Sequence, residues 1–200
     1  DLAGNLQCAL VVVDPRNGNL LGVIGAKGEK QSNRLMNYAT QAYRAPGSAL
    51  KPLSVYAPAL QERKITWASV FDDVPVRFLS RGNGEYTSWP HNSPAVYSGL
   101  TDIRTAVASS KNTVAVRVLQ SLGVERSYAY LTEGLSLGSL VGRESGGTKT
   151  DLAEAPLALG QLTNGVTLRD LTQAYTSLAD AGVYHTSRSY LRVRDRQGNL

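Results

Sequence analysis

The chain has 200 residues, 42% hydrophobic and 18% charged, with 19 Gly and 8 Pro; this is the make-up of an ordinary globular α/β or α+β chain and excludes disordered and collagen-like classes. The formal charge is +5 and the pI near 9.4, but the 21 Lys and Arg are scattered in runs no longer than two, which argues against nucleic acid as a partner. Cys8 stands alone and His91 and His185 lack companions at ligand spacing, so no disulfide, no metal site and no cofactor is expected.

The first predicted element is a β-hairpin. "CALVVVDPRNGNLLGVIGA" (8–26) sets two apolar, β-branched runs on either side of Asp14-Pro15-Arg16-Asn17-Gly18-Asn19, whose Asn-Gly supplies the positive φ angles of a tight turn. After a polar loop (27–40), "SALKPLSVYAPALQER" reads as a helix. Pro52 is tolerated only in a first turn, which puts the helix start near Ser48 or Ala49, and Pro58 is expected to kink or end it. Residues 65–100 read mostly as loop, with a short strand possible at "VPVRFL".

In "TDIRTAVASSKNTVAVRVLQSLG" (101–123) two helical runs meet at the polar knot Ser109-Ser110-Lys111-Asn112. "LRDLTQAYTSLADAG" (168–182) is an amphipathic helix ending at Gly182. "SYLRVRDRQGNL" begins a strand and reaches a Gln-Gly-Asn turn. No segment approaches the ~20 apolar residues needed to span a bilayer, and Asp1 opens no signal-peptide pattern, so any anchor is expected outside the chain. One domain continuing past Leu200 is the simplest organisation.

Chemistry concentrates at "RAPGSALKPLSVY" (44–56). A serine hydroxyl must lose its proton to a base as it attacks, and positions i and i+3 of a first turn share a face, so Lys51 can reach Ser48. The lysine has to be neutral, which burial or nearby positive charge favours. Backbone N–H groups at the same helix start can stabilise an oxyanion. Taken alone, Ser-x-x-Lys is common by chance in a chain this rich in serine, and a serine N-cap with a solvent-facing lysine fits it equally well.

The companions of this stretch carry a resemblance. "PGSALKP" resembles the active-serine motif of penicillin-binding proteins, and Ser110-Lys111-Asn112 in "SKNTVAVRVLQSLG" is similar to their second motif, Ser-x-Asn. "DPRNGNLLGVIGA" resembles the family's opening hairpin, "WPHN" its Pro-x-Asn loop, "GLTDIRTAVASSKN" the run into the second motif, and "GVTLRDLTQAYTSLADAG" a late helix of the bifunctional class A members. In order and spacing the likeness spans nearly the whole chain.

That resemblance implies an α+β fold of the penicillin-binding-protein and serine β-lactamase type, an antiparallel sheet with helices and a helical subdomain bearing both motifs. It implies a serine-type D-alanyl-D-alanine transpeptidase that cross-links peptidoglycan stem peptides through an acyl-enzyme on Ser48, with Lys51 as base. Ser110 would relay a proton toward the leaving amine, and Asn112 would bind the substrate's amide backbone and hold Lys51. β-Lactams would acylate the same serine. The implied setting is the outer face of the bacterial cell membrane, with stem peptides, β-lactams and cell-wall synthesis proteins as partners and no nucleic acid.

The family's third motif, Lys-Thr-Gly, has no match. Lys149-Thr150 in "SGGTKTDLAEAP" is followed by Asp151 where glycine is required, lacks an alternating strand pattern, and precedes the "LRDLTQAY" helix instead of following it; it reads as a surface loop. Residues 1–200 are therefore expected to be a partial transpeptidase domain, with the third motif after Leu200. A β-lactamase or D,D-carboxypeptidase with the same Ser/Lys centre, and a non-catalytic β-lactam sensor or cell-wall scaffold, are the competing readings.

Overall fold

The computed structural model describes residues 6–30, 32–143 and 149–199. Residues 145–148 of the "SGGTKT" stretch and Leu200 lie outside the described residues. The chain divides into two compact units, and its fold is α+β.

The first unit holds residues 1–44, 135–137 and 166–200. Its hairpin is antiparallel, β1 (Leu10–Val13) against β2 (Leu20–Ile24), with Leu10 opposite Ile24. The turn closes through Gly18 at φ +74, where a Cβ would sit 2.5 Å from the Thr186 carbonyl oxygen. Only glycine meets both demands. The helix α6 (Leu168–Ala179) starts where the Thr167 hydroxyl accepts from the Asp170 N–H, and Gly182 at φ +93 follows its end. The strand expected to begin in "SYLRVRDRQGNL", from residue 189, does not form. Arg188 makes an isolated bridge to Asn19, and among the described residues no neighbouring strand supplies the ladder that 190–194 would need. The turn after it is present, with Asp195 accepting from the N–H groups of Gln197 and Asn199.

The second unit holds residues 45–134 and 138–165. Its elements are a composite helix at 47–61 ending as α1 (Ala57–Gln61), then β3 (Val70–Asp73), β4 (Arg77–Ser80), β5 (Tyr86–Trp89) and β6 (Gly99–Asp102). These are followed by α2 (Ile103–Ala108), α3 (Asn112–Leu122), α4 (Val124–Ala129), a wider turn at 130–134, and α5 (Glu154–Leu159). β3 pairs antiparallel with β6, and β4 with β5. The region 65–100 is thus far richer in strand than its sequence suggests. Gly82 and Gly84, at φ +86 and +83, turn the β4–β5 hairpin, while Asp72 and Asp73 at the end of β3 are poor strand formers, the second held there by tertiary bonds.

The core of this unit forms around α3, which buries Val114, Ala115, Val116, Val118, Leu119 and Leu122. It packs against α5 and the composite helix, so the two motif-bearing helix starts are fixed by one apolar core.

Pro58 does not end the composite helix, which runs on to Gln61. The helix widens to a π-type turn at Pro52–Tyr56 before continuing as α1. Pro58 brings no N–H to the Ser54 carbonyl one turn back. The buried Ser127 hydroxyl donates to that carbonyl instead, at 2.6 Å.

Candidate active site

The composite helix opens as a 3₁₀ turn, Gly47–Leu50. Pro52 has no N–H to give the Ser48 carbonyl four residues back, and the Lys51 N–H takes its place. In a 3₁₀ turn side chains at i and i+3 eclipse, so the proline stacks Lys51 on the face that carries Ser48. Ser48 is exposed; Lys51 is 2% exposed.

The Lys51 amine donates to the Ser110 carbonyl at 2.7 Å, the Ser110 hydroxyl at 3.1 Å and Asn112 Oδ1 at 2.5 Å. Three donors thus meet three acceptors. The acceptors favour the ammonium and burial opposes it; burial wins and pushes the amine from 10.5 down to about 8. Ser110 reaches this position because it takes φ +51 between α2 and α3, a left-handed conformation that turns the chain at the polar knot. The geometry thus brings Ser48, Lys51, Ser110 and Asn112 to one locality.

A second layer lies behind Ser110 and Asn112. α3 has no cap from Lys111, its own N-cap residue. Asn92 Oδ1 accepts from the Asn112 N–H at 2.8 Å and the Thr113 N–H at 3.4 Å, while Asn112 Nδ2 donates to the His91 carbonyl at 2.6 Å. Asn92 in turn donates to Asp73 Oδ1 at 2.6 Å, and the Thr113 hydroxyl donates to the same oxygen. Lys111 Nζ and the Ser98 N–H reach Asp73 Oδ2 at 2.7 and 2.8 Å. Burial alone would raise the Asp73 carboxyl, but its bonds from Lys111, Thr113, Asn92 and Ser98 outweigh it and hold the group well below the usual carboxylate range.

In front of Ser48 lies a cleft of about 430 Å³, lined by Gly47, Trp89, His91, Asn112, Leu159 and Gly160 among others. The Arg77 guanidinium stacks 4.1 Å from the Trp89 ring centroid and pairs with Glu154 at 2.8 Å. Gly160 is in the left-handed region at φ +67, and a Cβ there would lie 2.0 Å from the Gly47 carbonyl oxygen. The backbone of Gly160 therefore lies directly against the Ser48 turn.

Lys149 and Thr150 belong to a loop. Asp151 is fully buried and accepts from the N–H groups of Val141 and Thr163 and from the Thr163 hydroxyl, each at 2.8 Å. An aspartate there ties two loops together and leaves no strand for a third motif. Sequence reasoning missed Asp73 and Gly160. The signal for Asp73 was a second acid in "FDD", indistinguishable from a surface loop until its partners converge.

The family model of the penicillin binding protein transpeptidase domain matches residues 8–195. Penicillin-binding protein 1A of Clostridium tetani is 33% identical over 208 residues, covering 100% of this chain and 25% of that protein. Its namesake in Neisseria meningitidis is 33% identical over 196 residues, covering 98% and 22%. The crystal structure of penicillin-binding protein 1A from Haemophilus influenzae superposes with a TM-score of 0.76 at 27% identity, over 96% of this chain and 26% of that one. PonA1 from Mycobacterium tuberculosis in complex with penicillin V gives 0.74 at 23% identity over 96% and 49%, a likeness of fold. The chain spans about a quarter of the length of the curated relatives named here.

Proposed function

The chain belongs to the penicillin-binding protein transpeptidase domain family, and from that premise we propose that it carries the acylation centre of a D-alanyl-D-alanine transpeptidase that cross-links peptidoglycan. The observation that carries the reading is the Lys51 amine: buried, lowered to about 8, and held by Ser110 and Asn112 one turn from an exposed Ser48.

In this reading Ser48 Oγ attacks the carbonyl between the two terminal D-alanines while its proton passes to neutral Lys51. Of the N–H groups at the start of the turn, that of Gly47 donates to Gly160 and that of Ala49 to Pro46. The donor this start offers the oxyanion is therefore the N–H of Ser48 itself. The C–N bond breaks, and Ser110, already bonded to Lys51, passes a proton to the departing D-alanine amine. The amine of a neighbouring stem peptide then attacks the ester, gives up its proton through the same relay, and returns Ser48 to its hydroxyl form. Asn112 binds the substrate amide.

β-Lactams acylate the same serine. The site works on the outer face of the cell membrane; among the described residues no helix is long and apolar enough to cross one.

The test is a turnover assay on the full-length protein with a D-Ala-D-Ala stem peptide and an acceptor amine, measuring D-alanine release and cross-linked product together. Transpeptidation gives both. Release without cross-linked product, in the presence of acceptor, favours a carboxypeptidase; neither, with a stable penicilloyl adduct, favours a sensor.

A further inference from the structure

Asp73 sits at the end of β3, 0% exposed, and is not among the residues lining the cleft. A buried carboxylate costs several kcal/mol in lost hydration, and well-packed apolar side chains would serve stability as well or better. Its use has to be sought in geometry.

The side-chain bonds to Asp73 lead to the start of α3, and one backbone bond, from the Ser98 N–H, ties it to the 96–98 loop. Lys111 and Thr113, on either side of Asn112, both end on this carboxylate. Asn92 spans the remaining gap, with Nδ2 on Asp73 and Oδ1 on the N–H of Asn112 itself. Lys111 Nζ also donates to Ser98 Oγ at 2.8 Å and the Val96 carbonyl at 3.2 Å, which closes the 96–98 loop over the pair. Asn112 is thus held through its own backbone and through both neighbours, and its side chain, with Nδ2 on the His91 carbonyl, presents Oδ1 to the Lys51 amine. α3 draws no cap from its own N-cap side chain, so this arrangement, supplied from β3 and from the 91–98 loop, defines where the helix begins.

We propose that Asp73 is a positioning residue for acylation: by anchoring Asn92, Lys111 and Thr113 it fixes the first turn of α3, and with it the Ser110 and Asn112 acceptors that hold the Lys51 amine. The inference rests on the acyl-enzyme reading of Ser48. Without Asp73 the start of α3 gains freedom, and Lys51 spends less time where it can take the Ser48 proton. A displacement of about 1 Å in such a group costs on the order of 100-fold in rate.

The test follows a fluorescent penicillin on the full-length protein, as wild type and as Asp73→Asn, Asn92→Ala, the double variant and Ser48→Ala. The concentration dependence separates noncovalent affinity from the acylation rate constant, and the final amplitude counts folded, competent molecules. Asp73→Asn and Asn92→Ala are each expected to lower the acylation rate constant about 10- to 100-fold in molecules that still label to completion. The double variant is expected to lose less than the product of the two single losses, since Asp73 and Asn92 act on the start of α3 partly through each other.

A reduced amplitude with an unchanged rate constant would mean a merely structural role and would overturn the proposal. So would multiplicative losses in the double variant. If Asp73→Asn does not fold, Asn92→Ala decides, and an unchanged rate constant there overturns the relay. A folded wild type that takes no label overturns the acyl-enzyme reading and this inference with it; a labelled wild type with unaffected variants overturns this inference alone.

Discussion

Asn112 Oδ1 lies 2.5 Å from the Lys51 amine, across 61 residues of sequence. That contact joins the starts of two helices and sets where the lysine points. Replacing Asn112 by alanine removes a hydrogen bond to an ionisable group, an interaction of about 1.5–3 kcal/mol. Acylation by a fluorescent penicillin is expected to slow about 10- to 100-fold, with the folded fraction checked by thermal melting.

The pH dependence follows from the lowered amine. In the proposed mechanism Lys51 serves as a base only when neutral, so the acylation rate of the full-length protein should rise with pH and level off above about 8. The stability sign is the same. The folded value of about 8 lies below the ordinary 10.5, so between the two the unfolded chain binds more protons, and the Lys51 contribution to stability improves as pH rises through that window. Lys51→Arg stays charged throughout and is expected to leave no measurable acylation at any pH. A pH–rate profile of wild type and variant checks both.

Gly160 gives a steric prediction. A Cβ would lie 2.0 Å from the Gly47 carbonyl oxygen, and the residue sits at φ +67, where an L side chain costs roughly 1–2 kcal/mol even in open space. Gly160→Ala should therefore lower the melting temperature and, by pushing on the Ser48 turn, slow acylation in the molecules that remain folded. Differential scanning calorimetry and labelling kinetics read the two effects separately.

Ser127 supplies a contrast. Its hydroxyl serves the Ser54 carbonyl, to which Pro58 brings no N–H. Ser127→Ala is expected to destabilise by about 1–3 kcal/mol, the cost of an unmet buried acceptor. The labelling rate constant of the folded protein should not change. Urea unfolding measures the first, and single-turnover labelling the second.

What the sequence made legible is what local rules control. The Asn17-Gly18 turn predicts the hairpin, the amphipathic run up to Gly182 predicts α6, and Pro52 puts Lys51 in register with Ser48, since a missing N–H acts within one turn. The polar run 109–112 marks the break between α2 and α3. The short strands β3, β5 and β6 escaped because four residues with aspartate, serine or glycine among them show no alternation, and their pairing is decided by chain segments far away. Asp73 and Gly160 escaped for the same reason. A buried acid or a close-packed glycine is recognised by its partners, and those come from distant elements. Conversely, 190–194 alternates as a strand should, yet lacks a neighbour to pair with among the described residues; periodicity states a preference that only a partner's hydrogen bonds can satisfy.

The most direct measurement is peptide mass spectrometry of the full-length protein after brief exposure to penicillin. A single penicilloyl adduct on the peptide containing Ser48, absent from Ser48→Ala and formed faster as pH rises toward 8, is the predicted result. An adduct on another residue, or none on a folded protein, would contradict the assignment of Ser48 and Lys51 as the acylating pair.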